Sequence, residues 1–174
     1  MQNYKVIQKN DYLVVGDVDY NFNNLDENIK NIEILGDFKT PTRSIINLHH
    51  NVKYLHIERC KIDSIDFLPM GLEKLELMSI NKSNLDNLPL SLKQLCVYYN
   101  KIDNLNNLPP NLEYLIICSC NILNKNISNL PKNLKKIHIF TKSIPAANSN
   151  VIPNIIEKED ITPPNDYCVI EVIN

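Results

Sequence analysis

Only three glycines and no tryptophan occur in the 174 residues. The chain holds no glycine-rich phosphate loop, no strained nucleophile elbow and no paired-histidine zinc helix, so the common catalytic signatures are absent. No apolar run approaches 18 residues, which leaves no candidate for a membrane-spanning helix. The first residues, MQNYKVIQKNDYLVV, lack the basic start and long apolar stretch of a secretion signal, which predicts an intracellular protein. A formal charge of -2 gives no electrostatic case for nucleic acid. Five cysteines, Cys60, Cys96, Cys118, Cys120 and Cys168, form neither an even framework nor a metal-ligand spacing. No cofactor is predicted.

What the chain has is a repeat. LPLSLKQLCVYYNKIDNLNN, starting at Leu88, is preceded by LPMGLEKLELMSINKSNLDN from Leu68 and followed by LPPNLEYLIICSCNILNKNISN from Leu108. Further copies start at Leu25, Leu48 and Leu130, so six copies cover 25–144 with a period near 20 residues. Self-similarity at that period marks a solenoid, in which no copy can bury its apolar face alone.

Three aliphatic rows keep their places in every copy. The first is Ile29, Val52, Leu72, Leu92, Leu112 and Leu134. Three residues further come Ile32, Leu55, Leu75, Leu95, Leu115 and Ile137, and two beyond those Ile34, Ile57, Leu77, Val97, Ile117 and Ile139. A spacing of two is the period of a strand with one buried face. Each copy therefore supplies one strand, and the stacked copies a parallel sheet over a continuous core. The returns, such as KIDNLNN, are too short for full helices. The predicted class is an α/β-type repeat solenoid, mostly β, with extended or 3-10 returns and few α-helices. Residues 1–24 are predicted as an N-terminal cap with a possible hairpin (YKVIQ and YLVV). Residues 145–174 are predicted as a C-terminal cap, with a decayed copy near Ile152-Pro153, an acidic outer face and a terminal strand at Tyr167–Ile173.

The pattern resembles the leucine-rich repeat, LxxLxLxxNxL, over 25–144. At the family's asparagine place stand Asp37, Cys60, Ile80, Asn100, Cys120 and Lys142, so Cys60, Asn100 and Cys120 comply and Asp37, Ile80 and Lys142 depart. The leading Leu-Pro of the last four copies is similar to the short repeats of bacterial effectors and to the FNIP-type repeats of amoebae and giant viruses, without the literal FNIP tetrad. The resemblance implies a curved sheet whose concave face binds proteins, in a host-directed or virion-associated setting. It also implies a second reading, the recognition subunit of a ubiquitin-ligase assembly. With 24 residues before the copies and about 30 after them, such a role would need a separate ligase subunit.

Two columns of turn residues flank these rows. The residue before each start is Asn24, Asn47, Phe67, Asn87, Asn107 or Asn129, and we expect these amides to stack and satisfy buried backbone groups. The residue before the first aliphatic row is Asn28, Asn51, Gly71, Ser91, Asn111 or Asn133, expected to serve the bend itself. Cys60 and Cys120 fall at inward places, and Cys96 and Cys118 at outward ones.

Function is expected on the outward face of the strands, where charge at the early copies gives way to apolar and aromatic residues. Tyr54, Met78, Tyr98, Tyr99, Tyr114, Ile116 and Phe140 are the candidate partner-binding residues. Exposed aromatics and methionine gathered together are typical of protein-binding surfaces. The expected partner is a protein, not nucleic acid or membrane, and self-association through this face or an uncovered last strand is open. His56 and His138 share a strand place four copies apart, about 19 Å at the usual strand spacing, too far to share a metal. Glu58 and Glu76 are the remaining candidates for acid–base chemistry, a third reading set against ordinary solvated charges.

Overall fold

The computed structural model describes residues 6–16, 20–37, 45, 47–62, 64–80, 84–102, 104–118, 120–122, 130–140 and 171–173. In chain order the strands are β1 (Val6–Lys9), β2 (Tyr12–Val15), β3 (Asn31–Leu35), β4 (Tyr54–Glu58), β5 (Lys74–Met78), β6 (Gln94–Tyr98), β7 (Lys101–Ile102), β8 (Tyr114–Cys118), β9 (Asn121–Ile122), β10 (Lys136–Phe140) and β11 (Glu171–Ile173). A 3-10 turn at Phe22–Asn24 is the one helical element among the described residues.

The strand of each copy lies beside that of the next, so β3, β4, β5, β6, β8 and β10 run parallel in one sheet. The register is the one the rows require. Ile32, Leu55, Leu75, Leu95, Leu115 and Ile137 are successive partners, and each is fully buried. A one-residue slip would turn this row into water. Burial of each such side chain contributes about 1.5–3 kcal/mol, a gain made only when a neighbouring coil covers it. The first aliphatic row is buried too, Ile29 through Leu134. The side chain of Ile139, at the end of the third row, lies outside the described residues.

The N-terminal hairpin does more than cap. β1 and β2 pair antiparallel, but β2 then pairs parallel with β3. Leu13 and Val15 extend the two strand rows by one rung, and both are fully buried. At the far end β11 pairs antiparallel with β10, so the last coil is not left uncovered. The returns carry no α-helix among the described residues; β7 and β9 pair as a small parallel ladder there. The expected decayed copy, the rest of 145–174 beyond β11, and Lys142 and Asn129 lie outside the described residues.

The Leu-Pro start closes a turn. The proline carbonyl accepts from the backbone N–H three residues on: Pro69 from Leu72, Pro89 from Leu92, Pro109 from Leu112, each at 3.0 Å. Proline donates nothing to the ladder here and loses nothing. At Gly71 a Cβ would stand 2.2 Å from the carbonyl oxygen of His50, which explains one of the few glycines. Three strands, β4, β5 and β6, leave through a left-handed residue: Arg59 (φ 51°), Ser79 (φ 52°) and Tyr99 (φ 54°). Their N–H groups donate to the next coil, Ser79 to Tyr98 O at 2.9 Å. Such φ values strain a residue with a Cβ.

The polar ladders differ from the expectation in where they lie. Asn87 Nδ2 donates to Asp66 Oδ1 (3.0 Å) and Asn107 Nδ2 to Asp86 Oδ1 (2.6 Å), both exposed, so this column links side chains in water and satisfies no buried backbone. Asn47 and Asn87 also take left-handed φ, 68° and 61°, which asparagine tolerates. The bond from side chain to backbone belongs to the other column. Asn51, Asn111 and Asn133 donate to the carbonyls of Glu27, Leu90 and Pro110 in the preceding coil, at 3.0–3.1 Å. Ser91 Oγ does the same to Leu72 O. A buried ladder runs at the strand exits: Asn100 Nδ2 reaches Leu77 O (3.2 Å) and Tyr98 O (2.8 Å), and Cys60 and Cys120 direct their thiols at the equivalent carbonyls. Ile80 has no donor to offer at this place.

The two asparagine ladders should respond differently. Asn100→Leu strands buried carbonyls and should cost about 1–3 kcal/mol in urea unfolding, whereas Asn107→Ala, in water, should stay within about 0.5 kcal/mol. Equal losses would show that exposure does not separate them. Relief of strain at an exit is the second expectation: Ser79→Gly should stabilise by about 0.5–1 kcal/mol, read as a higher midpoint at unchanged slope.

Candidate functional site

Alternation along each strand puts every second side chain on the face away from the core. Three outward rows result, joined rung to rung. One begins Leu35, Glu58, Met78, Tyr98, Cys118; the next reads Glu33, His56, Glu76, Cys96, Ile116, His138; the third reads Asn31, Tyr54, Lys74, Gln94, Tyr114, Lys136.

The early half of the face is a closed polar network. His56 lies between two carboxylates, Nδ1 3.2 Å from Glu76 and Nε2 3.5 Å from Glu58. Lys74 Nζ holds the other Glu76 oxygen at 2.8 Å, and Arg59 Nε holds Glu58 at 2.8 Å. The Tyr54 hydroxyl donates to Glu76 at 3.0 Å, while Lys74 stands over the Tyr54 ring, 5.0 Å from its centre. Two strands earlier the Tyr12 hydroxyl donates to Glu33. The hydrogen bond to Glu76 raises the His56 pKa, and the same bond draws Glu76 down to about 2. Burial, reinforced by Glu33, pushes Tyr12 up to about 12. The Glu76 carboxylate is thus engaged by His56, Lys74 and Tyr54, and that of Glu58 by His56 and Arg59.

The late half is apolar. Met78, Tyr98 and Cys118 are rung neighbours, with Ile116 beside them and Tyr114 at the margin. Tyr98 is half-buried, and Cys96 is buried although its row faces outward. Cys60 and Cys120 are inward and buried, as the repeat predicts.

The candidate residues therefore separate. Met78, Tyr98, Tyr114 and Ile116 gather on three adjacent strands. Tyr54 stands two strands before Tyr98 and is engaged by Glu76 and Lys74, so it belongs to the polar half. Tyr99, 58% exposed, occupies the left-handed exit corner and not the sheet plane. Phe140 ends β10, and its side chain lies outside the described residues.

Two surfaces escaped the sequence reading. On the entry bends, Phe67, Met70 and Leu90 are more exposed than any described apolar side chain of the sheet face; Met70 is 87% exposed. The sign was available: the residue after Leu-Pro is Met70, Leu90 and Pro110 in successive copies. The second is a shallow groove of about 480 Å³ beside the strand entries. Along it Lys53, Glu73, Lys93, Glu113 and Lys135 alternate in sign, with Glu73 bridging Lys53 (3.3 Å) and Lys93 (3.1 Å) and Glu113 meeting Lys135 (2.8 Å). These exposed pairs contribute little stability each.

The network around His56 predicts a pH dependence. Glu76 is lowered in the folded state, so its contribution is present above pH 4.5 and fades as pH falls toward 2. His56 is raised, so its contribution is complete below pH 6.5 and fades as pH rises through the elevated value. The Tm advantage of the native chain over His56→Gln should peak at about pH 5–6 and shrink on the alkaline side, by thermal melts across pH. An advantage that grows with pH would reverse the assignment. Compared with protein-family models, curated proteins and solved structures, the chain matches none.

Proposed function

We propose that the chain is a non-catalytic recognition module of leucine-rich repeat type, which binds a partner protein through the late half of its open sheet face. The observation that carries this reading is the contiguity of Met78, Tyr98 and Ile116 on three neighbouring strands, with Tyr114 at 37% exposure beside them. Fully buried rows lie directly beneath, so the platform is fixed before a partner arrives. A fixed platform loses little conformational freedom on binding. Tyrosine presents a large, stiff surface with a polar tip, the combination found at energetic centres of interfaces. The polar half offers less, because its charged groups already satisfy one another.

The test is the double variant Tyr98→Ala plus Tyr114→Ala in the full chain. Its far-UV circular dichroism and cooperative melt should persist, while a protein captured by the native chain in affinity purification should be lost. Truncating both tyrosines should weaken such binding by about 2 kcal/mol or more, at least thirtyfold. A double variant that unfolds, or that keeps its partner, would overturn the assignment.

A further inference from the structure

The sheet ends on β1, and β1 differs from β2 through β8 in burying nothing. All four residues are exposed, Val6 at 42% and Ile7 at 57%, whereas β2 alternates half-buried and buried. The hairpin turn is Asn10-Asp11, with Asn10 at φ 54°. A two-residue turn makes its flanking residues, Lys9 and Tyr12, a hydrogen-bonded pair. Bonded and unbonded pairs then alternate, so Ile7–Val14 is bonded while Gln8–Leu13 and Val6–Val15 are not. The N–H and C=O groups of Val6 and Gln8 therefore point away from β2. Among the described residues no strand pairs with that outer edge.

Side chains divide accordingly. Ile7 and Lys9 lie on the open face with Val14 and Tyr12; Val6 and Gln8 lie on the core side, where the Gln8 amide reaches Asp26 at 3.3 Å. Lys9 makes no ion pair among the described residues. An outward row of an apolar residue and an unpaired cation is complementary to an extended segment that sets an apolar residue against Ile7 and a carboxylate against Lys9. A second copy of β1 fits poorly, because its residues, VIQK, hold no carboxylate to set against Lys9.

We propose that the outer edge of β1 receives an extended acidic–apolar segment of a partner protein by antiparallel strand addition. Backbone groups of Val6 and Gln8 supply the bonds, and Ile7 and Lys9 supply the selectivity. This surface lies four strands from β5, where the tyrosine platform begins, and does not depend on it.

The probe is a soluble synthetic peptide containing Glu-Thr-Ile-Val, which in antiparallel pairing places Glu against Lys9 and Ile against Ile7. Added to the full-length native chain, it should slow amide exchange at Val6 and Gln8 and leave Ile7 and Lys9, already bonded, unchanged. Gln8→Pro removes an outward N–H and leaves the inner ladder intact, since proline is tolerated at an edge. It should keep the native melt and weaken the peptide at least tenfold. Lys9→Glu should weaken it similarly and recover binding to a peptide with Lys in place of Glu. Failure of the peptide to protect these amides, or equal binding to Gln8→Pro, would overturn the proposal. So would protection that rises with protein concentration alone, which would assign the edge to a second copy.

Discussion

The structure depends on one constraint: each coil lies on the next in exact residue register, about 4.8 Å away. Whatever a coil presents at a given place, its neighbour meets with the residue at the same place. The core follows at once, because Leu75 touches Leu55 and Leu95 and each is buried only through the others. The polar arrangement follows as well. A donor placed once per coil serves the carbonyl of the coil before, as Asn111 serves Leu90 and Asn133 serves Pro110. Like charges at one place would repel along the stack, and the groove edge alternates from Lys53 to Lys135 instead.

The same constraint sets the costs. A strand exit must turn the chain within one residue, and every coil must do so at the same place. The exit after β3 falls to Gly36 at an ordinary angle, and the next three fall to Arg59, Ser79 and Tyr99, which adopt left-handed angles against their own side chains. The neighbouring coil holds them there, since each exit N–H donates across the stack. Strain within one coil is offset by contacts between coils, and a single coil has no reason to keep its shape.

How far the sequence discloses this depends on what each row needs. The aliphatic rows repeat in kind and spacing, so strand number, register and inward face can be read from Ile32 through Ile137. The added rung of β2 cannot: Leu13 and Val15 show the right period, but nothing in YLVV says that it pairs parallel with β3. Asparagine columns are visible, but their direction is not. Both flanking columns are rich in amides, and only the coordinates show that Asn107 meets a carboxylate in water while Asn111 meets a carbonyl. On the open face, parity assigns Tyr54 and Tyr114 to one row. It does not reveal that Glu76 and Lys74 claim the first and leave the second at the margin. Such assignments turn on side-chain reach between coils, which the spacing of residues along the chain does not encode.

The two halves of the face share one scaffold and differ in what a partner must displace. Around His56, every approach would break an existing bond: Tyr54 to Glu76, Lys74 to Glu76, Arg59 to Glu58. A charge that leaves such a bond must find an equal one in the complex, or it is buried unpaired at a cost of several kcal/mol. Over Met78, Ile116 and the edge of Tyr98 the partner displaces mainly water, and apolar area removed from water contributes about 25 cal/mol per Å². The polar half is thus suited to rejecting poorly matched partners and the apolar half to holding matched ones. Because both stand on the same buried rows, the register of the coils fixes their spacing.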